Sequence, residues 1–157
     1  MSAVSQMALL TSKASSSLTL VTLGTPSSTN AFGAAFTEFD RSAAAVNGVT
    51  VQAIGIYSTT AGTFKIKIGL RNSAGNYTTV YDQSVSHGGA GWQDFNLTAP
   101  YGITGAAYFI GVCNNTVMTI NVASSARAIL SADQTGTAGG YTEDAGASGM
   151  MPLRYYY

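Results

Sequence analysis

Between Thr63 and Arg71 the chain alternates strictly, with Phe64, Ile66, Ile68 and Leu70 apolar and Lys65, Lys67 and Gly69 set between them. A period of two places these sets on opposite sides of an extended backbone, the pattern of a β-strand with one buried and one wet face. Lys65, Lys67 and Arg71 are then the solvated face. Sustained apolar repeats at helical spacing are scarce elsewhere, and Gly, Thr, Ser and Val, which are poor helix formers, are abundant. The chain is expected to fold from strands.

Val49 and Val51 share one parity and Ile54 and Ile56 the other, so a strand over Val49 to Tyr57 implies a bulge near Ala53 or burial on both faces. Ser58 to Gly62 and Asn72 to Asn76 read as hairpin loops, which makes three consecutive strands a meander. Tyr77 to Ser86 supplies the third strand. The glycine-rich run from His87 to Gly91 turns the chain into a fourth, Trp92 to Leu97, which Pro100 and Gly102 end. Ala106 to Asn114 has no polar alternation and reads as a central strand covered on both sides. Val117 to Ala123 alternates again, with Met118, Ile120 and Val122 inward. Ala126 to Leu130 and Leu153 to Tyr157 add short strands, the latter closing a sheet. Asp133 to Gly149 is rich in Gly, Ala and Thr and reads as a long loop. Residues 1–45 are weakly patterned around Leu18, Leu20 and Leu23 and are expected to form an N-terminal arm or edge strand, with residues 46–157 forming the sandwich domain.

The 157 residues suffice for one domain with a single core. Seven or eight short strands joined by glycine-containing turns favour an all-β fold, a two-sheet antiparallel β-sandwich. Only 9% of residues are charged, and seven cations cancel seven anions. Without a net field there is nothing to draw in nucleic acid or anionic lipid. No apolar run approaches the roughly 20 residues of a membrane span, so membrane insertion is not expected. Cys113 is the sole cysteine, which excludes an internal disulfide, and its apolar neighbours predict a buried thiol. The first residues lack the cationic start and apolar length of a signal peptide, so the chain is expected to remain in the cytoplasm where it is made.

The segments Val49 to Tyr57, Gly62 to Arg71, Gly91-Trp92-Gln93-Asp94-Phe95-Asn96-Leu97 and Tyr108 to Val112 resemble the jelly-roll modules that bind carbohydrate. Similar jelly-roll-like folds recur in bacteriophage capsid-decoration, spike and tail-fibre proteins, whose charge-poor, Ser/Thr/Gly/Ala-rich composition this chain shares. That resemblance implies a non-enzymatic subunit at the virion surface, made in the host cytoplasm, with other virion proteins and copies of itself as partners and host surface polysaccharide as a ligand. A free-standing carbohydrate-binding or lectin-like module and a glycan-hydrolysing subunit are the alternatives.

Catalytic chemistry is thinly supplied. A triad from Ser86, His87 and Asp82 or Asp94 lacks the nucleophile-elbow pattern, and His87 reads as an exposed turn residue. Asp82 and Asp94 are also the strand-borne pair that a glycosidase would require. One His and one Cys do not make a zinc site, and Asp133, Glu143 and Asp144 match no calcium loop; an exposed loop is preferred there to a calcium site built from Glu143, Asp144 and loop carbonyls, so neither metal nor cofactor is expected. Aromatic residues are the better candidates. Strand parity places Trp92, Asp94 and Asn96 opposite Phe95, an indole for stacking a sugar beside polar groups for its hydroxyls, although Trp92 plugging the core fits the same pattern. Tyr77 and Tyr81 share a parity and would flank that patch. Tyr155, Tyr156 and Tyr157 form either a closing strand or, the preferred expectation, an assembly contact.

Overall fold

The computed structural model describes residues 17–26, 28–32, 36–89, 91–114, 118–124, 126–144 and 148–157. Residues 1–16, 27 and 33–35 of the expected arm lie outside these, as do the side chains of Met118, Ile120 and Val122. Among the described residues every regular element is a strand, and every pairing is antiparallel.

In chain order the strands are β1 (Leu20–Leu23), β2 (Ser28–Phe32), β3 (Phe36–Asp40), β4 (Thr50–Ser58), β5 (Gly62–Ser73), β6 (Asn76–His87) and β7 (Gly91–Gly102). They continue as β8 (Tyr108–Asn114), β9 (Met118–Ser124), β10 (Arg127–Leu130), β11 (Gly136–Ala138), β12 (Thr142–Asp144), β13 (Ser148–Met150) and β14 (Leu153–Tyr156). One sheet has the order β1-β14-β4-β7, a second the order β11-β6-β5-β8-β3-β10-β12, and β13-β9-β2 form a smaller third group. The first two are the layers of a β-sandwich. Between them lies the main core, to which Ile54 and Ile56 contribute from β4, Phe64, Ile66 and Ile68 from β5, Ile110 and Val112 from β8, and Leu153 and Tyr155 from β14.

Several expectations change with this topology. β4 and β5 belong to different sheets, so Ser58 to Gly62 crosses the sandwich, and the meander reduces to the β5–β6 hairpin. Gly75, at φ +66°, takes the left-handed turn position there. The register between β4 and β7 shifts between Val51 and Ala53, as the change of parity predicts. The extra residues fall on β7, where Leu97 to Pro100 face Gln52. Proline is tolerated at such an irregularity, and β7 therefore runs past Pro100 to Gly102 instead of ending there. Phe36–Asp40, which the weak patterning assigns to an arm, is an interior strand between β8 and β10. β14 pairs on both sides, with β1 and β4, and β1 forms the edge.

The seven-stranded sheet is rolled. Its two edge strands, β11 and β12, are joined by Gly139, Gly140 and Tyr141 alone, a linkage reaching at most about 14 Å. Laid flat, the edges would be about 29 Å apart, six strand spacings. The sheet therefore curls, and its concave face encloses a second core of Phe39, Tyr77, Ala128 and Tyr141. Glycines make the curl possible: a Cβ on Gly69 or Gly111 would come closer than 3.0 Å to the Phe39 ring, so that ring lies directly over both backbones. The segment from Asp133 to Gly149, expected as a long loop, supplies β11 and β12 and the closure of the roll.

Lys65, Lys67 and Arg71 line the inside of this roll and are not a solvated face. Lys67 is fully buried and donates to Asp82 at 2.7 Å and to the Gln134 carbonyl at 2.8 Å, with Asp133 at 3.1 Å. Lys65 bonds Asp133. At the other end Arg71 donates twice to Glu143, at 2.8 and 3.0 Å. The alternation was right, but the second face is covered by the same sheet curling back. Cys113 is buried as expected, and burial pushes its thiol up to about 11.

Candidate functional site

Residues opposite one another in an antiparallel ladder share a face, so the register defines the outer surface of the four-stranded sheet. One row across it reads Leu20, Tyr156, Ala53 and Asn96. The next reads Thr22, Arg154, Gly55 and Asp94, and Tyr57 stands opposite Trp92 beyond them. The intervening residues Ile54, Ile56, Leu153, Tyr155 and Phe95 pack toward the main core. This fixes the wet face by parity, and Trp92 lies on it, not in the core.

Small residues on β4 allow the side chains of β14 and β7 to meet over it. Arg154 Nε donates to Asp94 Oδ1 at 2.7 Å and Nη2 to Oδ2 at 2.6 Å, a bidentate pair, and the Tyr156 hydroxyl donates to Oδ2 at 2.9 Å. Gly55 lies beneath: a Cβ there would stand 2.7 Å from Arg154 Cγ and overlap the Asp94 carboxylate. The guanidinium carbon of Arg154 sits 4.5 Å from the Trp92 ring centroid and 5.7 Å from that of Tyr156. Tyr57 meets Trp92 edge-on, with centroids 5.6 Å apart at 75°. Partial burial by itself would raise the Asp94 carboxyl, but the bonds from Arg154 and Tyr156 outweigh it and hold the group below the usual carboxylate range. The pair is thus a fixed, internally neutral plate with aromatic rings on two sides.

What this surface offers a ligand is hydrogen bonding next to rings. Among the described residues, nothing bonds the indole N–H of Trp92, the Tyr57 hydroxyl, the Asn96 side-chain amide or Nη1 of Arg154. Arg154 takes one face of the indole, so stacking falls to the remaining aromatic surface of Tyr57, Trp92 and Tyr156.

The structure brings Trp92, Asp94 and Asn96 together as expected and sends the tyrosines elsewhere. Opposite Ile68 and Gly69 stand Tyr81 and Thr79, so Val80 is an extra residue that reverses the parity of β6. Tyr77 consequently points into the roll, fully buried, and donates to Glu143 at 2.7 Å. Tyr81 packs on the opposite side, against the main core, and its hydroxyl accepts from the Thr98 backbone N–H at 3.0 Å. Neither flanks the Trp92 patch. Of the terminal tyrosines, Tyr155 is buried in the main core with its hydroxyl accepting from Val46 N–H, Tyr157 packs against that core, and only Tyr156 joins the outer face. As an assembly contact the triplet is therefore corrected by its own alternation.

The catalytic constellations do not assemble. His87 is buried, not an exposed turn residue. Its Nδ1 accepts from Gly89 N–H at 2.9 Å, which leaves the proton on Nε2 for the Ile56 carbonyl at 3.1 Å. Asp82 is held inside the mouth of the roll by Lys67, whereas Asp94 lies on the outside of the other sheet. Glu143 accepts from Arg71, Tyr77 and Gly75 N–H and pairs with Arg41 at 3.2 Å, so its oxygens are committed to protein donors. No cluster of three or more metal-ligating side chains occurs among the described residues.

Sequence reasoning missed Tyr57, Gly55 and Arg154. The signal for Tyr57 was present, because it shares the parity of Ala53 and Gly55, which break the apolar run of β4 on one face. Arg154 could be placed only by knowing that β14 pairs with β4. No family model, no curated protein and no solved structure matches the chain.

Proposed function

We propose that this protein is a non-enzymatic recognition subunit of a phage-type virion surface, binding host surface glycans through the outer face of its four-stranded sheet. One observation carries the glycan half: Tyr57, Trp92 and Tyr156 stand on one sheet face beside a rigid Arg154–Asp94 pair and several hydrogen-bond donors that no described residue occupies. Sugars present apolar C–H faces and a rim of hydroxyls, and rings flanked by fixed polar groups match both. Because the plate is internally neutral, it favours uncharged glycans. The virion half rests on the charge-poor composition and the resemblance to decoration, spike and fibre proteins.

The test is a glycan array probed with the purified chain, followed by calorimetric titration of any hit into wild type, Tyr57→Ala, Trp92→Ala and Asn96→Ala. The expected result is saturable binding to a neutral oligosaccharide that weakens at least tenfold, about 1.4 kcal/mol, in the aromatic variants while their melting temperatures stay near wild type. Absence of any hit, or a hit that all three variants bind equally, overturns the assignment to this face.

A further inference from the structure

The two edges of the four-stranded sheet are built differently. On β7, outward backbone groups between Asn96 and Pro100 are occupied or missing: Thr98 N–H donates to the Tyr81 hydroxyl at 3.0 Å and to Gln83 Oε1 at 2.9 Å, the Asn96 carbonyl accepts from Gln83 Nε2 at 3.1 Å, and Pro100 has no N–H to offer. These are the devices by which proteins keep a sheet edge from pairing with another chain. β1 has none of them. Thr19 and Tyr157 exchange backbone bonds at 2.7 and 3.1 Å, so Thr19, Val21 and Leu23 bond inward, and Leu18, Leu20 and Thr22 turn their N–H and C=O groups away from the sheet. No described residue bonds those groups. Leu18 and Leu20 are 48% and 47% exposed, and Ser17 to Gly24 contains no charge, no proline and no bulge.

We propose that β1 is a self-association edge, on which two copies of the chain pair antiparallel about a two-fold axis at Leu20. The outward groups are strand-forming donors and acceptors at two-residue spacing, so the occupant is an extended strand. A second β1 fits because the segment is self-complementary: Leu20 meets Leu20, Leu18 meets Thr22, and each pair exchanges two backbone hydrogen bonds. With no charge on the strand and none net on the chain, the approach is not opposed electrostatically.

The product is one continuous eight-stranded sheet. Its axis is perpendicular to the sheet, so both outer faces lie on the same side, with the two β4 strands five strand spacings apart, about 24 Å. If the outer face binds glycan as proposed above, the dimer presents two sites to one surface and gains avidity without a new contact.

The test is solution mass by light scattering across micromolar concentrations. Expected is twice the chain mass of 16.1 kDa for wild type. Leu20→Lys, which sets two ammonium groups against each other at the axis, and Thr22→Pro, which removes one outward N–H, should both give the monomer with a near-wild-type melting temperature. A wild type that remains monomeric, or a dimer that both variants preserve, overturns the proposal. So does a monomer that dimerises when Met1–Ser16 is deleted, because the chain's own N-terminal segment would then be what covers β1. The glycan reading is judged separately, on the wild type alone: its affinity for soluble oligosaccharide should be the same above and below the concentration at which the dimer dissociates, and retention on a glycan-coated surface should fall only below it.

Discussion

Glu143→Gln tests whether the roll is held shut by one carboxylate. Glu143 stands on β12, yet its oxygens accept from Arg71 on β5 at 2.8 and 3.0 Å, from Gly75 N–H in the hairpin at 3.1 Å and from Tyr77 on β6 at 2.7 Å, with Arg41 at 3.2 Å. It therefore ties one edge of the sheet to strands near the other. The Arg71 bond foremost, with Tyr77, Gly75 and Arg41, holds its carboxyl down from 4.5 to about 2. Taken at face value that difference is about 3 kcal/mol. The side chain is 15% exposed and water reaches the pair, so about 1–2 kcal/mol is the expected contribution after screening. Glutamine preserves shape but presents an amide NH2 where a carboxylate oxygen met a guanidinium. For a chain of this size the loss is about 3–6 °C in melting temperature. The folded-state carboxyl titrates below the unfolded one, so the contribution is complete above pH 4.5 and is lost as the pH falls through about 2. Melting curves followed by circular dichroism should show the two proteins apart at pH 7 and converging toward pH 2. Coincident curves at pH 7, or a gap unchanged at pH 2, would refute the reasoning.

Gly111→Ala should cost about 2–3 kcal/mol or more in urea unfolding, because its Cβ would press within 3.0 Å of the Glu38 carbonyl oxygen and the Phe39 ring, and a backbone atom in a paired strand cannot step aside. Gly102→Ala, with nothing within 4 Å, is the control and should be neutral. Glu38 gives a pH dependence opposite to that of Glu143. Burial pushes its carboxyl up to about 7 against the pull of Arg127, so its contribution is present below pH 4.5 and lost as the pH rises through about 7. Glu38→Gln should gain stability relative to wild type across that interval, and a difference that stays flat with pH counts against it.

The strands were legible wherever one face met apolar side chains and the other did not, as in β5. What a single strand cannot encode is what lies over its second face. Lys67 looks like any solvated lysine until β11 and β12 are known to close the roll above it, and its burial depends on Asp82 and Asp133, 15 and 66 residues away along the chain. A one-residue bulge defeats parity reasoning in the same way. Val80 separates Tyr77 from Tyr81, whereas the register shift at Ala53 was visible because apolar residues flank it on both parities. Half of the outer face was readable from local alternation in β7. The other half, Arg154 and Tyr156, depends on the pairing of β14 with β4, nearly a hundred residues apart in sequence.

Low charge has a different meaning in the folded chain than in the composition. Of the seven cations, Arg41, Lys65, Lys67, Arg71, Arg127 and Arg154 all form ion pairs, and Lys13 lies outside the described residues. Six of the seven anions are their partners, and the remaining one, Asp40, accepts from Ser42 N–H at 2.8 Å. The described ion pairs thus close the roll and fix the plate over Gly55, and charges so paired project little field. The outer face of the four-stranded sheet presents mostly hydroxyl, amide and ring beside its one ion pair. Such a surface recognises by short-range hydrogen bonding and stacking, which suits neutral sugars. It also lets two copies approach edge to edge without mutual repulsion. The proposed glycan binding and the proposed β1 pairing are both compatible with this distribution of charge, and salt should weaken neither by more than a small factor.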